Sequence, residues 1–412
     1  MRIKIGDACE FINGGSWTES DYRECGLPVL KVSNFNSSGF TINDISFLNS
    51  ELGNKYIKNK LEINDIIIAT VGSHPSLVNS AAGRTIRVNS NVVNYFLNQN
   101  AICLRVNYDE NINQIYLYYL TETTEFRNFI QQRGKGAANQ MRIPISGIKD
   151  FSWDFPPLET QKKIASILSG YDDLIENNLK RIKILQEMAQ QTYEEWFVRM
   201  RFPGHESATI NPETGLPEGW EKVKIENLCM VSGGGTPSKN NKEYWIDGDI
   251  NWFTPSDLTK NKSLVITDSE LKTNSLGISK SSAKILQSDS FIMTSRATIG
   301  VFALLDKPFS TNQGFINITP NHKNLKGYLL YNFIFRMDQL KGLATGATFP
   351  ELSKSKFKVL DIIKPSVEVL NQFSEYFDVI TKQLFNLTYQ NQRLREARDI
   401  LLPRLMMGMV EV

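Results

Sequence analysis

Long apolar runs are missing from this chain of 412 residues. None approaches the roughly 20 consecutive apolar residues that a membrane-spanning helix needs, and the opening MRIKIGDACEFINGG lacks the basic-then-apolar order of a secretory signal. A cytoplasmic protein with no membrane partner is expected. Cysteine and histidine are also scarce. Cys9, Cys25, Cys103 and Cys229 include no CxxC pair, which excludes a zinc ribbon or a disulfide framework and leaves them as small core residues. His74, His205 and His322 are dispersed, without a second ligand type at helical spacing, so no metal is expected. No GxxxxGK[ST] loop is present to cradle ATP. Asp154-Phe155-Pro156-Pro157 only approximates an NPPF-type methyltransferase motif and reads as a helix start; Asp257 with Glu270 and Lys272 only sketches a nuclease set, at a spacing that chance produces often. No catalytic residue is assigned. A net charge of +2 leaves the partner open, because binding depends on where Lys and Arg cluster.

What the sequence does contain is itself, twice. KIGDACEFINGGS from Lys4 lies over KIENLCMVSGGGT from Lys224, matching Lys, Ile, Cys and the pair Gly14-Gly15 on Gly234-Gly235, all 220 apart. NQNAICLRVN from Asn98 lies over NQGFINITPN from Asn312 at an offset of 214, YLYYL at Tyr116 over YLLYN at Tyr328 at 212, and Gly136 over Gly346 at 210. A smooth drift of this kind is what two copies of one fold with different loop lengths produce. In each copy β-branched runs bounded by polar residues predict strands, at EINDIIIAT and NQNAICLRV and at SDSFIMTS and GFINIT. The tyrosines of YLYYL predict a buried helix face. The expected organisation is a mixed α/β globule at 1–155, a long helix at 156–200, a Pro/Gly-punctuated linker at 201–222, a second globule at 223–364, and a second long helix with a tail at 365–412.

Both helices carry an apolar seam with one asparagine in it. Steps of 3 and 4 from Leu168 give Tyr171, Ile175, Asn178, Ile182, Leu185, Ala189, Thr192 and Trp196; the second series runs Phe373, Phe377, Ile380, Leu384, Leu387, Asn391, Leu394, then Arg398 and Leu401. A buried amide needs a partner, so Asn178 and Asn391 are expected to meet and set the register of an antiparallel pair, the alternative being that each lies solvated at the edge of its stripe. Helices of this length span on the order of 60 Å. A chain passing from one to the other through the second globule would place the globules at opposite ends, related by a pseudo-twofold axis.

PPLETQKKIASILSGYDDLIENNLKRIKILQEMAQQTYEEWF, the following RFPG and GLPEGW, and the terminal NQRLREARDILLPRLMMG together resemble the specificity subunits of type I restriction-modification systems, over essentially the whole chain. The resemblance implies two target-recognition domains reading the halves of a split, asymmetric double-stranded DNA sequence, held apart by antiparallel coiled-coil helices. It also implies docking of two methyltransferase subunits and of restriction/translocase subunits. S-adenosylmethionine, ATP and Mg would be used by those partners, this chain binding no cofactor and catalysing nothing. A stand-alone methyltransferase or nuclease lacks its motifs here; a coiled-coil scaffold without DNA specificity remains the competing reading.

DNA reading needs Arg or Lys on phosphates and Arg, Lys, Asn or Gln at base edges, on loops that approach closely. In the first copy RGKGAANQMR supplies Arg133, Lys135, Asn139, Gln140 and Arg142, and VGSHPS adds His74. In the second, GGGTPSK supplies Thr236 and Lys239, SRATIG supplies Arg296 and Thr298, GLATGATFP supplies Thr348, and Gln313 belongs to the matched NQ pair. SRATIG and GATFP resemble landmarks of the family. The first copy departs from both, since ATVGSHPS has no arginine and GAANQ stands for GATFP.

Overall fold

The computed structural model describes residues 2–36, 39–40, 44–73, 81–107, 111–137, 140–261, 263–296, 298–346 and 350–412, the side chains of residues 36, 39, 137 and 140 excepted. It forms two compact units, residues 1–173 with 394–412, and residues 174–393.

The first unit is built on four strands, β1 (Cys9–Asn13), β2 (Ile66–Ala69), β3 (Thr85–Arg87) and β4 (Ala101–Val106), with helix α1 (Gln114–Glu122) following them. Their order is β3-β2-β4-β1, every neighbour antiparallel. The isoleucine run of β2 is buried on both faces, which explains why it lacks polar alternation. Ile66 and Ile68 point with Ile102 and Leu104 toward the tyrosines of α1, while Ile67 and Ala69 point with Ala101 and Cys103 into a second layer containing Leu30 and Val88. Asn113 caps α1 by accepting from the amides of Ile115 and Tyr116. A long helix, α2, starts at Leu158 and runs to Tyr193; its first turns bury Ile164 and Leu168 in the same core.

The second unit repeats this plan. Strands β5 (Cys229–Gly233), β6 (Phe291–Thr294), β7 (Phe302–Leu304) and β8 (Phe315–Pro320) are ordered β7-β6-β8-β5, and helix α3 (Leu325–Phe335) follows them. The match extends beyond the sheet. Arg2–Lys4 pairs with Ser152–Asp154 as Glu221–Lys224 pairs with Asp361–Lys364, and Leu27–Leu30 runs parallel to Phe96–Leu97 as Ile250–Phe253 does to Phe309–Thr311. Even the paired asparagines behave alike: Asn107 donates to the Asp7 carbonyl and Asn321 to the Asn227 carbonyl. The doubled sequence is a doubled fold.

The second long helix, α4, spans Val367–Met406. Within the second unit it runs antiparallel to α2, since Tyr193 and Trp196 meet Phe373, Thr192 hydrogen-bonds Tyr376, and Asn178 Nδ2 donates to Asn391 Oδ1 at 3.0 Å. Both asparagines are buried. The seam is followed from Leu168 to Ala189, but toward the end of α2 the buried positions become Tyr193 and Phe197 rather than Thr192 and Trp196. A 3.6-residue helix drifts against a 3.5-residue count, and a π-helical turn at Glu194–Val198 carries the chain out of α2. In the stretch after it, Phe202 and Trp220 are buried against each other, and Trp220 packs on Phe197.

The cysteines meet expectation at three positions of four. Cys9, Cys103 and Cys229 are buried, but Cys25 is exposed, because it stands in the bend between two short strands rather than in an apolar run. Among the described residues no helix is long and apolar enough to cross a membrane.

Candidate nucleic-acid interface

Because β4 is antiparallel to both β1 and β2, the end of β1, the end of β2 and the start of β4 share one edge of the first sheet. The same edge exists in the second unit at the ends of β5 and β6 and the start of β8. The sequence tightens it with glycine. A Cβ on Gly14 would stand 1.8 Å from the Asn98 carbonyl oxygen, and one on Gly234 would stand 2.1 Å from that of Asn312. Only glycine permits two turns to approach so closely. Gly15 then donates to the Leu97 carbonyl at 2.7 Å, and Gly235 to that of Thr311 at 2.9 Å.

The residue after each glycine pair meets the matched glutamine. Ser16 Oγ donates to Gln99 Oε1 at 3.0 Å, and Thr236 Oγ1 to Gln313 Oε1 at 2.6 Å. In both cases the hydroxyl fixes which way the amide points. Thr236 and Gln313 are thus brought together, and they have first-copy equivalents, Ser16 and Gln99, absent from the sequence-derived candidates. The signal was present in the repeat, since both lie in its matched segments.

Beside this edge the first unit carries a small three-stranded ribbon, and the second has three segments joined by single bridges at the same place. In the first, Lys135–Ala137, Gln140–Arg142 and Val71–Gly72 pair antiparallel, with Lys135 opposite Arg142 and Arg142 opposite Val71. In the second, Thr345 stands opposite Glu351 and Glu351 opposite Arg296. The two ribbons are tied to their sheets by the same bonds: Ile143 N to Thr70 O at 2.8 Å and Leu352 N to Ser295 O at 3.0 Å, then Thr70 N to Asn100 O at 3.0 Å and Ser295 N to Gly314 O at 2.8 Å. Lys135, Arg142 and Val71 therefore occupy the positions of Thr345, Glu351 and Arg296. Gly136 and Gly346, the residues after the first of each trio, share a left-handed φ of 129° and 116° that favours glycine.

The chemistry of the two trios differs. Lys135 and Arg142 are exposed like charges facing each other, and among the described residues neither has a carboxylate within ion-pair distance. In the second unit Arg296 Nε is 2.9 Å from Glu351 Oε1, the side chains being 52% and 43% exposed. Glu351 carries no signal in the sequence, because its segment is aperiodic and the equivalent position in the first copy, Arg142, bears the opposite charge.

The remaining candidates are scattered about this frame. Arg133 is not joined to the Lys135–Arg142 pair, because its guanidinium lies 3.4 Å over the Phe129 ring and donates to the Phe129 carbonyl. Lys239 is exposed, its ammonium 5.7 Å over the Trp252 ring. Thr298 is exposed in the tight turn between β6 and β7, its carbonyl accepting from the Thr294 hydroxyl. Lys354, also unanticipated, approaches the sheet edge so closely that a Cβ on Gly233 would meet its Nζ at 2.4 Å. His74, Asn139 and Thr348 lie outside the described residues, as does the side chain of Gln140.

No second chemistry competes with this edge among the described residues. Asp257 is a helix cap, accepting from Thr254 N and Oγ1 and from Glu270 N; Glu270 pairs with Lys260 and Lys272 with Asp268. No group of three His, Cys, Asp or Glu residues there is arranged to hold a metal.

Duplicated sheets with a matched, polar, glycine-tightened edge and a paired-helix element define a protein with two recognition modules. Residues 1–187 and 217–394 match the family model described as type I restriction modification DNA specificity domain, and the chain belongs to that family. It is 35% identical over 183 residues to the type I restriction enzyme MjaIX specificity subunit of Methanocaldococcus jannaschii, covering 44% of this chain and 42% of that one. The HindI specificity subunit of Haemophilus influenzae is 26% identical over 388 residues, 79% of this chain and 83% of that one. The crystal structure of the type I restriction-modification S subunit from M. genitalium shares the fold, with a TM-score of 0.57 at 14% identity over 98% of this chain and 95% of the other. DNA target recognition is the family's role, and the chain serves it as a non-catalytic specificity subunit.

Proposed function

We propose that each half of this chain reads one part of a bipartite, asymmetric DNA target through the edge just described. One observation carries this reading: the frame of the edge is the same in both halves, while the charged trio upon it is not. A shared frame with unlike side chains is what two dissimilar half-sites require. The supporting group is Lys135, Arg142, Ser16 and Gln99 in the first half, and Thr236, Gln313, Lys239 and Arg296 in the second.

The long helices dock the catalytic partners in this proposal. On α2, Leu174, Ile184 and Met188 are exposed apolar residues, lying beside the seam on a common stripe. Exposed apolar residues at helical spacing suit a protein partner, and two methyltransferase subunits are the expected ones, restriction and translocase subunits adding to them. S-adenosylmethionine, ATP and magnesium belong to those partners, and the assembly works in the cytoplasm.

The test separates the two roles. Arg142→Glu or Arg296→Glu should lower the affinity of the assembled complex for its target by about tenfold, with methyltransferase co-purification unchanged. Leu174→Glu with Ile184→Glu should do the reverse, abolishing co-purification while each unit keeps its thermal transition. Undiminished target protection by both arginine variants would remove those residues from the interface.

A further inference from the structure

The trios Lys135–Arg142–Val71 and Thr345–Glu351–Arg296 occupy one place in the fold, yet they present opposite electrostatic problems. Side chains directly opposite each other on an antiparallel pair are held on the same face, and like charges there repel. Lys135 and Arg142 form such a pair, with no described carboxylate to relieve it. The third member, Val71, is uncharged and contributes nothing to the repulsion. An arrangement of this kind is completed by an anion lying between the two cations, and it is indifferent to what the anion is attached to.

Arg296 is in the contrary situation. Glu351, across the ribbon from it, forms an ion pair with it, Oε1 lying 2.9 Å from Nε. That contact uses the inner edge of the guanidinium and leaves the terminal NH₂ groups without a described protein acceptor. Both backbones are fixed at this point, by the Thr345–Glu351 bonds on one side and the Leu352–Ser295 bond on the other. A guanidinium oriented by a carboxylate and free at its outer fork is preorganised for two parallel hydrogen bonds to a planar acceptor pair. On DNA the acceptor pair of that geometry is O6 and N7 of guanine in the major groove. The nearby carboxylate also makes the site less attractive to a phosphate, whose charge it repels.

Resting on the DNA reading above, we infer that the two equivalent trios have divided the labour: Lys135 and Arg142 clasp a backbone phosphate without regard to sequence, whereas Arg296, steered by Glu351, reads a guanine. The first half then draws its sequence information from other residues of its edge. The second half-site contains a G·C pair under Arg296, and its loss is felt at that pair alone.

The experiment uses the complete chain assembled with its methyltransferase partner, on duplexes carrying the target found by mapping modified adenines. Binding is measured across a salt series, and on duplexes in which each target pair is replaced in turn. Lys135→Gln with Arg142→Gln should flatten the dependence of log affinity on log salt by about one to two units, and weaken target and substituted duplexes by the same factor. Arg296→Lys keeps the charge but loses the fork; it should leave the salt slope unchanged and erase roughly tenfold to a hundredfold discrimination at one G·C pair. Glu351→Gln should erase part of that discrimination at the same pair.

Two results would overturn the division: an Arg296→Lys complex whose substitution profile equals that of the wild type, or a Lys135/Arg142 double variant that loses selectivity at a particular base pair with its salt slope intact. A wild-type complex with no affinity for the target at all would instead defeat the underlying DNA reading.

Discussion

Asp172→Ala is expected to cost the first unit about 3 kcal/mol, the usual consequence of stripping one partner from a largely buried ion pair. Asp172 Oδ1 accepts from Arg398 at 2.5 Å and Oδ2 from the Tyr119 hydroxyl at 2.6 Å, the Asp172 and Arg398 side chains being only 19% and 27% exposed. Burial first, and then the charge of Asp172, push the Tyr119 hydroxyl well above the usual phenol range, so it stays protonated and donates. Removing the carboxylate strands a guanidinium and a buried phenol together, leaving Arg398, among the described residues, the largely exposed Asp399 as its ion-pair partner. Asp172→Asn keeps an acceptor and should cost less. Amide hydrogen exchange localises the effect: protection in α1 should fall with the alanine variant and recover with the asparagine. An alanine variant whose α1 amides exchange at wild-type rates would show that the network adds little.

Asn391→Leu should destabilise the second unit by about 1–3 kcal/mol, since it leaves the buried Asn178 amide unpaired. Replacing both asparagines by leucine should restore that stability or exceed it, because two apolar side chains of similar size need no partner. The cost of the double change falls on alignment. No buried polar pair in the middle of the seam then opposes a register shifted by a heptad, the Thr192–Tyr376 and Asp172–Arg398 contacts being left to do so, and target protection should decline although the melting temperature does not. A double variant with full protection would mean that the aromatic contacts of Phe373 with Tyr193 and Trp196, with the Thr192–Tyr376 and Asp172–Arg398 pairs, suffice to set the register.

Arg398 illustrates how far such a protein can be read before it is seen. In the seam of α4 it is an arginine at an apolar step, and its answer, Asp172, sits on the other helix one place beyond the seam residue Tyr171. The repeat, the strands, the buried tyrosines and the antiparallel pairing were legible because each rests on periodicity or on the chain's likeness to itself. The Asn178–Asn391 contact was legible for the same reason. The edge was legible only in outline. Gln313 and Thr236 were found without the bond that joins them, and Ser16 and Gln99 were overlooked although the repeat marks them. Arg133 stands two residues from Lys135 in the sequence, yet the helix end turns it onto Phe129, which the segment's composition does not reveal. Cross-strand partners such as Glu351 depend on register, which a short aperiodic segment does not encode visibly.

The largely surface-lying trios have a further consequence for the history of such chains. Their side chains stand on ribbons tied to the sheets by main-chain bonds, and substitutions at exposed positions of this sort change stability by only about 0.5 kcal/mol. If Arg296 reads a base as proposed, a lineage can exchange that letter in one half without endangering the fold of that half. New preferences arise by drift at a few surface codons, and the apolar interior need not be consulted.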